Sequence, residues 1–159
     1  MPVAALLLLV SAPVAAQQQV DPLRFFEGRT ETLGTMKVLF KKAYRTSSIG
    51  QGRIEKDGSL TLVQRVEDDG NPPHVRRWRV RETGPGRFAG TMSEATGPVT
   101  IESTGGRYRF RFAMKGGLNV EQWLTPLPGN RAANSLTTVR RFGLTVATAE
   151  AVIRKAFGG

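Results

Sequence analysis

The sequence contains no cysteine and only one histidine, His74, among its 159 residues. Without cysteine, disulfide bonds, thiolate metal sites, cysteine nucleophiles and lipid attachment through an N-terminal cysteine are excluded. A single histidine cannot form a histidine metal cluster, and its position after two prolines predicts a solvated side chain at a strand start rather than a catalytic base. The glycines lie at predicted hairpins and not in a phosphate loop or a dinucleotide-binding fingerprint. We therefore expect no metal and no cofactor.

Long apolar runs are scarce, and the one that stands out opens the chain. Residues 1–16 are too few to span a bilayer, and Val14 and Ala16 are suitably placed for cleavage before Gln17. This pattern predicts a signal peptide over residues 1–16, a single domain over residues 17–159, and a periplasmic or secreted protein. The run carries no lysine or arginine, so a retained apolar N-terminal helix remains the alternative.

Acidic residues are few: 13 Asp and Glu stand against 23 Lys and Arg, which gives a net charge of +10. Such an excess predicts attraction to an anionic partner, either an anionic membrane surface, lipopolysaccharide or nucleic acid. Nucleic acid is disfavoured because stacking on bases needs exposed aromatic residues among the charges, and here the aromatics are predicted to face inward. The simplest alternative is a charge that only keeps the protein soluble.

Residues 107–115 show the clearest local pattern, Arg-Tyr-Arg-Phe-Arg-Phe-Ala-Met-Lys. Aromatic and apolar residues occupy every second position, and most of the positions between them are basic, as in a strand with one buried face. The 18 glycines and nine prolines separate many short apolar runs of this kind. These features favour an all-β protein.

Three turns predict how neighbouring strands pair. They are a three-residue loop at 56–58, a turn at 83–85, and the two-residue turn at 105–106, where both glycines suit positive φ angles. The predicted pairs are Ile54 with Leu60, Gly52 with Leu62, Val80 with Phe88, Trp78 with Gly90, Ile101 with Phe110, and Glu102 with Arg109.

The turn at 115–117 leaves the next register open. A two-residue loop would turn Glu121 and Trp123 into the interior, whereas a three-residue loop would turn Gln122 inward. The second choice buries more apolar side chains and leaves Trp123 outside, where it needs a cover. A predicted C-terminal helix, capped by Thr145, supplies this cover with an apolar stripe formed by Val146, Ala149, Ile153 and Phe157.

The predicted fold is an antiparallel up-and-down β-barrel of the lipocalin or calycin-like kind, with about eight to ten strands. A short helical turn, capped by Asp21 and carrying Phe25 and Phe26, is expected to plug it, and the C-terminal α-helix is expected to pack outside. A two-sheet sandwich is the alternative.

The leading functional hypothesis is a binding protein for a small apolar or amphipathic ligand, such as a lipid-derived molecule, held in the barrel. A small enzyme that uses Glu121 as general acid or base is a second hypothesis, and a structural protein with a filled barrel is a third. The candidate ligand-binding residues are Gln64, Trp78, Phe88, Tyr108, Phe110, Phe112 and Gln122. The candidate contacts with an anionic surface are Arg77, Arg79, Arg81, Arg107, Arg109 and Arg111.

The order of several short motifs resembles the bacterial envelope family labelled domain of unknown function 3833, across nearly all of residues 17–159. The resemblance implies a calycin-type barrel in the envelope of Gram-negative bacteria, with no established activity. Many members look like lipoproteins, whereas this chain has no cysteine, and Glu121-Gln122 stands where the family usually has two acidic residues. The lipocalin signature of glycine, any residue and tryptophan is missing after Gly28. The motifs are Phe25-Phe26-Glu27-Gly28, Arg77-Trp78-Arg79-Val80, Gly86-Arg87-Phe88-Ala89-Gly90, Glu121-Gln122-Trp123-Leu124, Asn134 and Arg141-Phe142-Gly143.

Overall fold

The computed structural model describes residues 21–156 as one short helix followed by ten strands. The predicted signal peptide over 1–16 and Phe157 of the predicted helix lie outside these residues. Within the described range, no helix is long and apolar enough to cross a membrane. The elements are α1 (Pro22–Phe25), β1 (Gly28–Val38), β2 (Tyr44–Ile54), β3 (Leu60–Asp68), β4 (His74–Gly84), β5 (Arg87–Met92), β6 (Val99–Thr104), β7 (Arg107–Met114), β8 (Leu118–Pro126), β9 (Ala132–Arg141) and β10 (Leu144–Lys155).

The ten strands form a closed antiparallel barrel in which each strand pairs with its neighbours in sequence and β10 returns to pair with β1. The β1–β10 ladder runs from Thr30 opposite Lys155 to Val38 opposite Ala147. Closure gives both edge strands a hydrogen-bonding partner, so the sheet has no free edge. The predicted barrel is therefore confirmed, and the sandwich alternative is wrong.

The predicted C-terminal helix is wrong, because Leu144–Lys155 is strand β10. Its alanines suit a helix, but Ala147, Ala149, Ala151 and Ile153 also recur with the period of a strand, and all four line the interior. The edge of β1 needs a strand as its partner, and this tertiary pairing outweighs the local preference of alanine for helix.

Turn geometry decides the other registers. Ile54 lies opposite Leu60 and Ile101 opposite Phe110, as predicted, and both glycines of the 105–106 turn have positive φ, 58° and 76°. The predicted pairing of Trp78 with Gly90 is wrong, since Trp78 lies opposite Met92, and Val80, not Trp78, lies opposite Gly90. Here an irregularity between Glu82 and Gly84 and a tighter turn shift the register by two residues, which keeps every side chain on its predicted face. The pair Val80 with Phe88 is replaced by Glu82 with Phe88.

The helix α1 closes one end of the barrel. Asp21 caps it by accepting a hydrogen bond from the backbone N–H of Leu23 at 2.9 Å, and Pro22 occupies its first turn. Leu23, Phe25 and Phe26 are buried in the apolar core, each contributing about 1.5–3 kcal/mol by leaving water. The predicted plug is confirmed, and the opposite end of the barrel is left without a helix among the described residues.

The seat of this plug depends on Gly52. A Cβ atom at this position would lie 1.8 Å from the carbonyl oxygen of Phe26, so any side chain would push α1 away from β2. We predict that Gly52→Ala destabilises the protein by about 2 kcal/mol or more, measured as a shift of the urea unfolding midpoint. Gly97→Ala is the matched control, because no atom lies within 4 Å of the Cβ it would add; an equal loss in both variants would contradict this role of Gly52.

Candidate functional site

The interior of the barrel holds a cavity of about 520 Å³ between α1 and the end opposite to it. The side chains that line it differ in size from strand to strand: β4 and β7 contribute aromatic residues, whereas β10 contributes alanines. The small side chains of β10 therefore leave more room in the cavity than the rings of β4 and β7 do. Its apolar lining residues include Met36, Val38, Leu62, Val66, Trp78, Phe110, Phe112, Met114, Leu118, Val120, Val139, Ala147, Ala149, Ala151 and Ile153.

Trp78 is the centre of the aromatic wall. Its ring stands edge-on to Phe110 and Phe112, with centroid distances of 6.4 and 5.8 Å, the arrangement that ring quadrupoles favour. Its indole N–H donates to the Gln64 side-chain oxygen at 2.7 Å. This bond fixes the orientation of Gln64 and leaves the amide –NH₂ group available to a ligand.

A second amide lies on another part of the wall. Gln122 of β8 donates through Nε2 to the hydroxyl oxygen of Ser135 at 2.8 Å, which leaves its carbonyl oxygen available as an acceptor. The loop at 115–117 has three residues, with Met114 opposite Leu118, and it turns Gln122 inward. Of the two registers left open by the sequence, the one that buries more apolar side chains is therefore confirmed. The cavity thus offers one donor amide and one acceptor amide on an otherwise apolar lining.

Five of the seven predicted ligand-binding residues line this cavity: Gln64, Trp78, Phe110, Phe112 and Gln122. Phe88 and Tyr108 do not line it, although both are buried, at 7% and 3% exposure. They lie in the strand segments nearest to the plugged end and pack in the core there. The pKa of Tyr108 is raised, first by burial and then by the negative charge of Asp21, so its hydroxyl stays protonated.

Sequence reasoning missed a polar cluster at the open end, formed by His74, Arg76 and Glu94. The Glu94 carboxylate accepts from Arg76 at 2.7 Å and contacts His74 Nε2 at 3.0 Å. Arg76 is the one charged residue on the cavity lining within the described chain. Alternation from Trp78 could have placed Arg76 inside, but Glu94 is 18 residues away along the sequence and only the fold brings it close.

Tyr44, at the start of β2, also lines the cavity at its open end. Burial, and next the negative charge of Asp68, raise the pKa of the Tyr44 hydroxyl, so it remains a hydrogen-bond donor at any physiological pH. Arg76 donates to Glu94 through Nε and Nη2, which leaves N–H groups of Nη1 that can donate, together with Tyr44 and Gln64, to a ligand in the outer half of the cavity. This is an arrangement for holding an acceptor-bearing head group above an apolar tail.

Glu121 faces away from the cavity. Its carboxylate accepts from Arg109 Nε at 2.9 Å and from the Trp123 indole N–H at 3.2 Å, on the outer face of β7 and β8. Trp123 lies outside as predicted, but its cover is not a helix: the Arg107 guanidinium carbon sits 4.3 Å from the ring centroid. The hydrogen bond from Arg109 is the main reason why the pKa of the Glu121 carboxyl is lowered.

The predicted surface arginines fall into two groups. Four have partners on the barrel exterior: Arg79 with Asp57 at 3.2 Å, Arg111 with Glu102 at 3.1 Å, Arg109 with Glu121, and Arg107 with Trp123. Arg77 and Arg81 are exposed. Much of the positive charge on these strands is therefore compensated by neighbouring side chains.

Chemically, the described residues supply a binding cavity. Among them there is no group of three or more His, Asp or Glu residues that could hold a metal ion, and no carboxylate joins Arg76 on the cavity lining.

The sequence matches the family model described as "Protein of unknown function (DUF3833)" over residues 9–155. No curated protein matches the sequence. Among solved structures, the fold is similar to an S-type phycobiliprotein lyase from Guillardia theta, with a TM-score of 0.68, 6% identity, and coverage of 86% of this chain and 92% of that chain. At that identity the likeness shows the barrel fold alone.

The lowered pKa of Glu121 predicts a pH-dependent stability. A carboxyl whose folded pKa is depressed stabilises the protein above its unfolded pKa of about 4.3, and this contribution disappears as the pH falls through the folded pKa. Glu121→Gln should lower the free energy of unfolding at pH 7 by about 0.5–1 kcal/mol, with a difference from wild type that vanishes in acid. The control is Glu102→Gln. The ion pair of Glu102 with Arg111 is about half exposed, so this substitution should change the free energy of unfolding less.

Proposed function

The chain belongs to the family described as protein of unknown function (DUF3833), and from the geometry of its barrel we propose that it is a periplasmic or secreted binding protein for one small apolar or amphipathic molecule. The observation that carries the proposal is the 520 Å³ cavity. Ligand sites are typically clefts of about 300–1,000 Å³ with apolar walls and a few polar groups. A filled barrel would have no such space.

The polar groups suggest the orientation of the ligand. Arg76, Tyr44 and Gln64 lie on the lining, and the strand pairing sets Gln64 opposite Arg76. The apolar tail would extend past Trp78 toward α1, beside the alanines of β10. A fatty acid or another lipid-derived molecule with an acceptor head fits this description.

The enzyme alternative has less support. It requires Glu121 to face a substrate in the barrel, and Glu121 lies on the outer face, bonded to Arg109 and Trp123. A carboxylate held in this way stays ionised and is a poor general acid near neutral pH.

The location outside the cytoplasm is proposed from the sequence, since residues 1–16 have the length and the small-residue end of a signal peptide. The excess of 23 basic over 13 acidic residues would favour contact with anionic envelope surfaces, either membrane or lipopolysaccharide. The location is tested by fusing the full chain to a reporter enzyme that is active only outside the cytoplasm and measuring the activity of the reporter.

The cavity is tested by filling it. Ala149 of β10 lines the open space, and we predict that Ala149→Phe weakens binding of a fluorescent fatty-acyl probe at least tenfold, because the new ring occupies the volume of the ligand. Titration of the purified protein with the probe measures the affinity.

Thr148→Phe is the control, since Thr148 is the next residue on the same strand and is not on the lining. It should bind the probe like the wild type. If neither the wild-type protein nor this control binds the probe, and mass spectrometry of lipid extracts finds no ligand, the binding function is wrong.

The head-group orientation is tested at Arg76. Arg76→Gln should weaken binding of a fatty acid about tenfold, or ~1.4 kcal/mol, because a charge-assisted hydrogen bond is lost, and should leave binding of the corresponding methyl ester nearly unchanged. Arg77→Gln, on the outer face of the same strand, is the control. Equal losses for acid and ester would contradict this orientation.

A further inference from the structure

The open end of the barrel exposes large apolar side chains. Phe40, between β1 and β2, is 98% exposed, and Phe142, between β9 and β10, is 87% exposed. Leu39 and Leu144 beside them are 53% and 71% exposed. These four residues, together with Lys41, Lys42 and Arg141, are called the mouth patch below. Exposed aromatic residues at loop tips contribute nothing to a core, so their presence suggests a contact outside the chain.

The backbone at both phenylalanines supports this view. Phe40 has a φ of 62° and Phe142 a φ of 51°, the left-handed region that costs a bulky side chain about 1–2 kcal/mol and that glycine or asparagine occupies more easily. Packing does not offset this cost: the Phe142 ring contacts the Arg141 guanidinium at 5.2 Å, and Phe40 is almost wholly in solvent.

The two tips form one surface at the mouth of the cavity. The backbone N–H of Leu39 donates to the carbonyl oxygen of Val146 at 2.9 Å, which joins the β1–β2 loop to the start of β10. Val38 and Val146, next to this bond, both line the cavity. A partner bound to the mouth patch would therefore lie beside the part of the cavity wall that Val38 and Val146 form.

Three of the five loops at the open end carry no negative charge, and the acidic residues of the other two, Asp69 and Glu94, are paired with Arg45 and Arg76. The loops 39–43, 115–117 and 142–143 all lie at this end, and they contain Lys41, Lys42 and Lys115 but no aspartate or glutamate. These three lysines are exposed and make no ion pair within the described chain. In this they differ from Arg79, Arg109 and Arg111 of the strands, each of which has a carboxylate partner.

We propose that the mouth patch docks the open end of the barrel on a lipid bilayer with anionic head groups. Aromatic and aliphatic tips would enter the interface between head groups and acyl chains, while the lysines bind lipid phosphates. The proposal rests on the proposed ligand-binding function, because the docked cavity would open directly toward the acyl chains. It assigns the membrane contact to the loops of the open end and not to the arginines on the side of the barrel.

The test compares vesicle binding of three variants of the full chain. Phe40→Asn/Phe142→Asn removes both tips with a residue that tolerates positive φ, so the fold should be retained. Lys41→Gln/Lys42→Gln removes charge alone, and Arg77→Gln/Arg81→Gln is the charge-matched control on the strands. Flotation with vesicles of phosphatidylglycerol mixed with phosphatidylcholine, and of phosphatidylcholine alone, measures binding.

We expect the wild type to float with the anionic vesicles, less at high salt, and hardly at all with the neutral ones. The asparagine variant should lose at least tenfold in partitioning, the glutamine variant at Lys41 and Lys42 several-fold, and the strand control almost nothing. Absence of wild-type binding, an unchanged asparagine variant, or a strand control that loses as much as the lysine variant would each overturn the proposal.

Binding of the fatty-acyl probe in solution, without vesicles, separates the two proposals. None of the substituted residues lines the cavity, so all three variants should bind the probe with wild-type affinity. Probe binding without vesicle binding overturns only the docking proposal, whereas vesicle binding without probe binding, and with no ligand found by mass spectrometry, overturns the ligand-binding function.

Discussion

Alternation along the strands is the constraint on which the rest of the structure depends. In a closed barrel, successive side chains face the interior and the solvent in turn, so most of the inward positions of each strand are apolar or uncharged. In β4, Trp78 and Val80 are buried, and Arg77 and Arg79 are exposed. A slip of one residue in the pairing of β4 would turn Arg77 and Arg79 into the interior, and this cost fixes the register there.

Where alternation and turn chemistry agree, the sequence alone predicts the structure. The pairing of the β6–β7 hairpin is predicted correctly because two glycines specify its turn and Phe110 fixes which face is inside. The predicted register of the β4–β5 hairpin is wrong by two residues, because the irregularity next to Gly84 has no clear signal in the sequence. The faces survive this error, so Trp78 is still correctly assigned to the wall of the cavity.

Other features depend on contacts between distant parts of the chain. Ala149 and Ile153 fit both a helix and a strand, and only the need of β1 for a partner decides between them. The contact of Arg76 with Glu94 joins β4 to the loop after β5, and it follows from the β4–β5 register, which the sequence predicts two residues away from the observed one. The inward positions predicted on several strands account for much of the cavity wall. The small residues of β10 also shape the cavity, but their sequence pattern predicts a helix.

The pairing of the first strand with the last has a consequence for folding. Thr30 pairs with Lys155, so the ring cannot be completed until the chain is available as far as β10. Non-local pairing of this kind slows folding, and until it occurs β1 and β10 present bare edges on which intermediates can aggregate. A chain that ended before β10 would keep bare edges on β1 and β9 permanently, even though its remaining hairpins could still form.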